Sequence, residues 1–194
     1  MASLYRVIAV VIWMSSLGIS SGLAETSAQE PTTRAFTDPR YGYSLQIPAA
    51  WKPSDRTLKA EALQRLMLDT PNKNTLIISV YRLPRAVTRS SDFELIGNKY
   101  VDSVVSAYLK AFDITMPLGG EKKENKSDAQ SMRFWQGTSA LHASFAPAMV
   151  LSLHAIKYGS DVMVNVVYIN GHDSSQEVRT VDALMDSLSF TGSP

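Results

Sequence analysis

Three histidines, His142, His154 and His172, are the residues of this chain best equipped to hold a metal or move a proton. His142 and His154 could meet across neighbouring strands, and that imidazole pair, joined by Asp161 or Asp173, would suit Zn²⁺ or Cu²⁺, which accept nitrogen and oxygen donors. His154 and His172 stand at opposite ends of a predicted hairpin and cannot easily converge. The plainer reading, which is preferred, seats each histidine at a half-buried or surface strand position. Hydrolysis is open only by geometry: serine is abundant, but no Gly-x-Ser-x-Gly elbow surrounds any copy and no His-Glu-x-x-His pair occurs. Cysteine is absent, which excludes disulfides, thiol catalysis and thiolate metal sites. Met116-Pro117-Leu118-Gly119-Gly120 has glycines for bending but lacks the Lys-Ser/Thr ending of a phosphate loop, so it reads as a linker. No cofactor is expected.

Large aromatic side chains offer a second kind of chemistry, that of contact. Trp51, Phe134 and Trp135 could anchor a partner if exposed, because such groups bring much contact area at low entropy cost. Tyr41 and Tyr43, two apart, share a strand face and could line the same edge. The competing reading places these rings in the core, with adjacent Phe134 and Trp135 pointing to opposite sheet faces. The run Glu121-Lys122-Lys123-Glu124-Asn125-Lys126 alternates sign and reads as a solvated loop or a polar contact surface. Asn170-Gly171 ahead of His172-Asp173 is turn chemistry.

The elements that must position these groups follow from periodicity. Tyr43, Leu45 and Ile47 alternate along a strand that Pro48 ends, and Trp51 is expected to fold back onto it. Leu58, Ala62 and Leu66 at helical spacing predict a short helix within residues 55 to 69, and Thr75 to Leu83 is a β-rich run. The clearest helix spans about Asp92 to Asp113. Ser91 and Glu94 are placed to cap it reciprocally, and Phe93, Ile96, Gly97, Tyr100, Val104, Tyr108 and Phe112 form its apolar stripe. Residues 116 to 130 read as an exposed loop, followed by strand candidates Ser131 to Gln136 and Leu141 to Phe145, after which Pro147 interrupts the pairing. The strongest hairpin signal lies within Val150 to Ile169, turning around Tyr158-Gly159-Ser160-Asp161. Ser174 and Glu177 would cap a closing helix whose Val178, Val181, Met185 and Leu188 share a face. Helix, antiparallel strands and closing helix make an α+β protein, an α/β/α sandwich with a mainly antiparallel sheet.

Residues 1–24 read as an export signal: Arg6 precedes an apolar core from Val7 to Met14, and Gly22-Leu23-Ala24 supplies small residues for cleavage. That apolar core is far short of the ~20 residues a bilayer span needs, so no stable membrane span is expected after cleavage. Of 194 residues, 170 then remain, Glu25 to Pro194, enough for one domain with one core. Residues 25–35 are expected to be a flexible lead-in and 36–190 a single domain. Lys plus Arg number 19 against 18 Asp plus Glu, the excess being Arg6 in the leader. With no sustained basic stretch, a nucleic-acid partner is not expected.

The leader, the segment Phe36-Thr37-Asp38 running into YGYSLQIPAAW, the long helix, the terminal meander and a closing helix ending in Leu188-Ser189-Phe190 together resemble the PsbP-like superfamily. That superfamily includes the extrinsic PsbP subunit of photosystem II and bacterial DcrB-type envelope proteins. The resemblance covers Phe36 to Phe190 and implies an α/β/α sandwich that binds or assists other macromolecules without catalysing a reaction. A plant PsbP would stand behind an Arg/Ser-rich transit peptide, which this short apolar leader is not. The expectation is an exported, non-enzymatic binding or assembly-assisting protein, periplasmic, with secretion or the thylakoid lumen as alternatives. Its partner would be another envelope protein or complex. The alternative is a metal-binding protein or hydrolase using the histidines.

Overall fold

In chain order the elements are β1 (Thr33–Asp38), β2 (Tyr43–Pro48), β3 (Lys52–Pro53), β4 (Gln64–Asp69), β5 (Thr75–Val87), α1 (Ser90–Ala111), β6 (Ile114–Thr115), β7 (Lys122–Ser127), β8 (Ser131–His142), β9 (Pro147–Lys157), β10 (Ser160–Asn170), α2 (Ser175–Asp186) and β11 (Ser189–Phe190). The computed structural model describes residues 32–58, 61–115, 122–127, 130–142, 147–170 and 175–191, with backbone alone for residues 90, 93–102, 122–127, 138–142, 147 and 175. All of them fall within one compact unit. The export signal and most of the lead-in lie outside the described residues, and β1 begins at Thr33, so the last three residues of the expected lead-in are strand.

The hairpin β9–β10 is the centre of the larger sheet, whose order is β3-β4-β5-β10-β9-β8-β6, with β7 also paired to β8. Gly159, at φ +82, supplies the left-handed residue its turn needs. Each central strand is buried on both faces, as its near-continuous apolar sequence requires. Along β10, Met163 and Val167 enter one core while Val164, Val166 and Tyr168 enter the other. Helix α1 covers the first face with Val104, Val105, Tyr108 and Leu109. Helix α2 covers the second with Val181, Leu184 and Met185, together with the small sheet β1-β2-β11. The result is a mixed α+β fold with mainly antiparallel sheets, as the periodicity predicts.

Four local expectations are corrected. The helix expected within 55–69 is not formed at its end: Gln64–Asp69 is strand β4, paired with β5. Leu66 and Leu68 pack into one core and Met67 into the other, so three successive apolar residues fill both sheet faces, which a one-faced helix cannot do. The expected loop contains strand β7, paired with β8 from Lys122 opposite Gly137 to Ser127 opposite Met132. Alternating charge suits it to a sheet edge, where lysines discourage further pairing. The two strands expected after it are one, β8, and Pro147 opens β9 opposite Leu141 rather than breaking the pairing. The N-cap of α1 is Arg89, without a side-chain cap bond. Instead Asp92 Oδ2 accepts from the Thr88 amide at 3.1 Å and its hydroxyl at 2.6 Å, and these bonds hold its carboxyl down to about 2. Phe93, Ile96, Gly97 and Tyr100 of the expected stripe have side chains outside the described set; Val104 and Tyr108 are buried as expected.

A polar clamp ties the β4–β5 turn to α2. Asn74 Nδ2 donates to Tyr168 Oη and to Glu177 Oε2, both at 3.0 Å, and Asn72 Nδ2 donates to the same Oε2 at 2.6 Å. Glu177 is the residue expected to cap α2, and its Oε2 accepts both of these turn bonds. Burial, then the Glu177 charge, pushes the Tyr168 hydroxyl pKa up, so it stays protonated. Asn74→Ala strips a buried carboxylate of a donor, and urea denaturation should show a loss of about 2 kcal/mol; an unchanged midpoint would show the clamp to be idle.

Candidate functional site

The face beneath α1 carries a line of polar residues that crosses the sheet among its apolar ones. In register, Arg65 of β4 is opposite Ser79 of β5, Ser79 is opposite Asn165 of β10, and Asn165 is opposite His154 of β9. One step along, Ser152 of β9 faces Gln136 of β8. Ser79, Asn165, His154, Ser152 and Gln136 are all buried. Strand alternation puts them on the face that also carries Ile77, Met163, Ile156 and Phe134.

Their bonds run from one strand to the next. Asn165 Nδ2 lies 2.7 Å from His154 Nδ1, and His154 Nε2 lies 3.2 Å from Ser152 Oγ. Burial pushes the imidazole pKa down to about 3, so the ring is neutral. With the Asn165 amide donating to Nδ1, the ring proton sits on Nε2 and is donated to Ser152. The Phe134 ring flanks the imidazole, 6.0 Å between centroids. At the other end Tyr108 descends from α1, its hydroxyl 2.7 Å from Ser79 Oγ and 2.5 Å from the Tyr81 hydroxyl. Arg65 Nε donates to Ser79 Oγ at 3.3 Å, and its Nη1 donates to the Leu58 carbonyl at 2.9 Å. Desolvation raises the Tyr108 pKa, so this hydroxyl stays protonated. Gln136 Oε1 and Asn165 Oδ1 are buried without a hydrogen-bond partner. An unpaired buried acceptor costs about 1–3 kcal/mol, which sets these two oxygens apart from the rest of the row.

The expected metal set is not brought together. His154 is opposite Phe134, and His142 lies eight positions further along β8, opposite Ile114; at strand rise that is roughly 26 Å. Its side chain is outside the described set, as are His172 and Asp173 entirely. Asp161 is four positions from Asn165 on β10 and faces Arg82 at 3.6 Å across the surface. Among the described residues no group of three or more His, Asp or Glu could hold a metal ion.

Three expected contact aromatics are core residues. Trp51, Tyr43 and Trp135 are buried in the second core with Leu45, Ile47 and Met185, so exposure, the condition for anchoring a partner, is not met. Trp51 folds back onto β2 as expected, its amide bonding the Pro48 carbonyl at 3.1 Å. Phe134 and Trp135 do point to opposite faces and are both buried. Tyr41 is half-buried in the β1–β2 turn, with the Arg40 guanidinium 5.2 Å over its ring. That turn is set by Asp38 Oδ1, which accepts from the amides of Arg40 and Tyr41, and by Gly42 at φ +64.

No family profile and no curated protein matches this sequence. Among solved structures, the cyanobacterial PsbP (CyanoP) of Synechocystis sp. PCC 6803 is similar at a TM-score of 0.61 and 13% identity, covering 91% of this chain and 99% of that one. A Bacteroides thetaiotaomicron protein is similar at a TM-score of 0.47 and 11% identity, over 82% of this chain and 48% of its own. The Saccharomyces cerevisiae Ran-binding protein Mog1p is similar at 0.48 and 7% identity, over 82% and 96%. The fold is therefore one shared with CyanoP.

Proposed function

We propose that this chain is an exported, non-enzymatic protein of the cell envelope that binds another protein or assists its assembly. The observation that carries the reading is the state of His154. It is buried, neutral, and engaged at both ring nitrogens by Asn165 and Ser152, so the group on which metal or hydrolytic chemistry would turn is spent on the core. The fold shared with CyanoP supports the reading by analogy, since sites and not folds set function. The export signal read in residues 1–24 supports the envelope, with the periplasm favoured over secretion or a thylakoid lumen.

Cross-linking in the native envelope with a C-terminally tagged full chain tests it. The expected result is one protein enriched reproducibly from the exported fraction, with no metal above background by elemental analysis. Retention in the cytoplasm, stoichiometric metal, or turnover of an ester or peptide substrate would overturn it.

A further inference from the structure

Among the described residues five strands have a neighbour on one side only, and four of them are poor templates for further pairing. Strand β3 is Lys52-Pro53, β6 and β11 are two residues each, and β7 carries three lysines. Strand β1 is the exception. It runs for six residues, TRAFTD, in unbroken register with β2, with no proline, lysine or bulge, and Thr33, Arg34, Ala35 and Thr37 are exposed.

The bonds of β2 show which backbone groups of β1 turn outward. The Ala49 amide donates to the Thr32 carbonyl at 2.8 Å, so with Thr33 opposite Pro48 the groups of Thr32, Arg34 and Phe36 face β2 and those of Thr33, Ala35 and Thr37 face away. Two neighbours agree. Pro48 has no N–H to give β1, and the Gln46 amide, opposite Ala35, bonds Ser187 Oγ at 2.9 Å on the β11 side. An antiparallel copy of β1 with a two-fold axis at Ala35 pairs Ala35 with itself and Thr33 with Thr37, which uses every outward N–H and carbonyl of these three residues. Moving the axis one residue either way sets Thr33 against Pro39 or Thr37 against Pro31, and neither proline has an N–H to give. At the Ala35 register Arg34 stands opposite Phe36, so its charge meets an aromatic ring and not a like charge.

We propose that β1 is an interaction edge for a second copy of this chain, paired antiparallel across a two-fold axis at Ala35, so that the three-stranded sheets of two molecules become one continuous sheet. One strand pair buries less than the ~1,000 Å² of a permanent interface, so the dimer is weak, with a dissociation constant on the order of 100 µM.

Sedimentation equilibrium of the purified protein from ~10 µM to ~1 mM is expected to show monomer–dimer exchange across that range. Ala35→Pro removes an outward N–H and leaves the β1–β2 ladder intact, so it should raise the dissociation constant at least about tenfold at unchanged Tm. Ala35→Lys, which sets two like charges against each other at the axis, serves should the proline variant fail to fold. Because the chain has no cysteine, Ala35→Cys gives each molecule one thiol, and Cα atoms ~5.5 Å apart in a hydrogen-bonded pair suit a disulfide. Mild oxidation should therefore link Ala35→Cys into dimers far faster than Ser103→Cys, whose site on α1 is exposed. A protein that stays monomeric to ~1 mM, a dimer indifferent to both Ala35→Pro and Ala35→Lys, or equal cross-linking of the two thiols would overturn the proposal. So would capture of a different protein by Ala35→Cys in the native envelope in place of its own copy, since the edge would then belong to a foreign strand.

Discussion

Val104→Asp is expected to destabilise the protein by about 4 kcal/mol or to unfold it. Val104 is 8% exposed and packs from α1 into the core that holds Ile77, Met163 and Val167. A carboxylate placed there loses most of its hydration among apolar neighbours. The neighbouring Ser103 is exposed, so Ser103→Ala should move stability by less than about 0.5 kcal/mol. Thermal and urea unfolding of both variants give the answer. Comparable losses would mean that the inward face of α1 has been misplaced, and with it the cover over the polar row, because Tyr108 stands one turn further along that face.

The hairpin β9–β10 and the helix α1 were legible because each carries its own punctuation and a single period. Gly159 marks the turn between two β-rich runs, and Val104 and Tyr108 repeat at helical spacing. Strand β4 was not legible, since Leu58, Ala62 and Leu66 imitate a helix and the evidence against one, Leu66-Met67-Leu68, makes sense only when both sheet faces are known to be covered. Strand β7 carries no apolar side chain, so only the free edge of β8 makes Lys122–Ser127 extended. The polar row was hidden for a related reason. Its members come from β4, β5, β8, β9 and β10, and only the register puts Arg65, Ser79, Asn165 and His154 in line. One signal was present: His154 shares a strand face with Val150 and Ile156, as Asn165 does with Met163 and Val167. A polar residue on an otherwise apolar face of each of two paired strands points to a buried pair. The sequence leaves the contact aromatics between core and surface because nothing in Tyr43, Trp51 or Trp135 alone announces the small sheet that packs on the same core.

Acid should weaken this fold through His154, and the sign follows from the direction of its shift. The unfolded imidazole titrates at the ordinary 6.5, whereas burial pushes the folded one down to about 3. Between those values the unfolded state carries one more proton, so stability falls as pH falls, by at most about 1.4 kcal/mol per unit. From pH 7.5 to 4.5 the expected loss is about 2.5 kcal/mol from this residue alone. Asp92 also loses stability in acid, but from about 3.8 down toward 2, below that window. Urea denaturation across pH 7.5 to 4.5, run in parallel on His154→Gln, isolates the histidine because other carboxylates act alike in both proteins. The difference between the two curves should slope with pH. A flat difference would mean that His154 gains a proton in the folded state near neutrality, and so could serve as a general base whose pKa lies near 7. That outcome would return metal or hydrolytic chemistry to the protein and remove the observation on which the binding role rests.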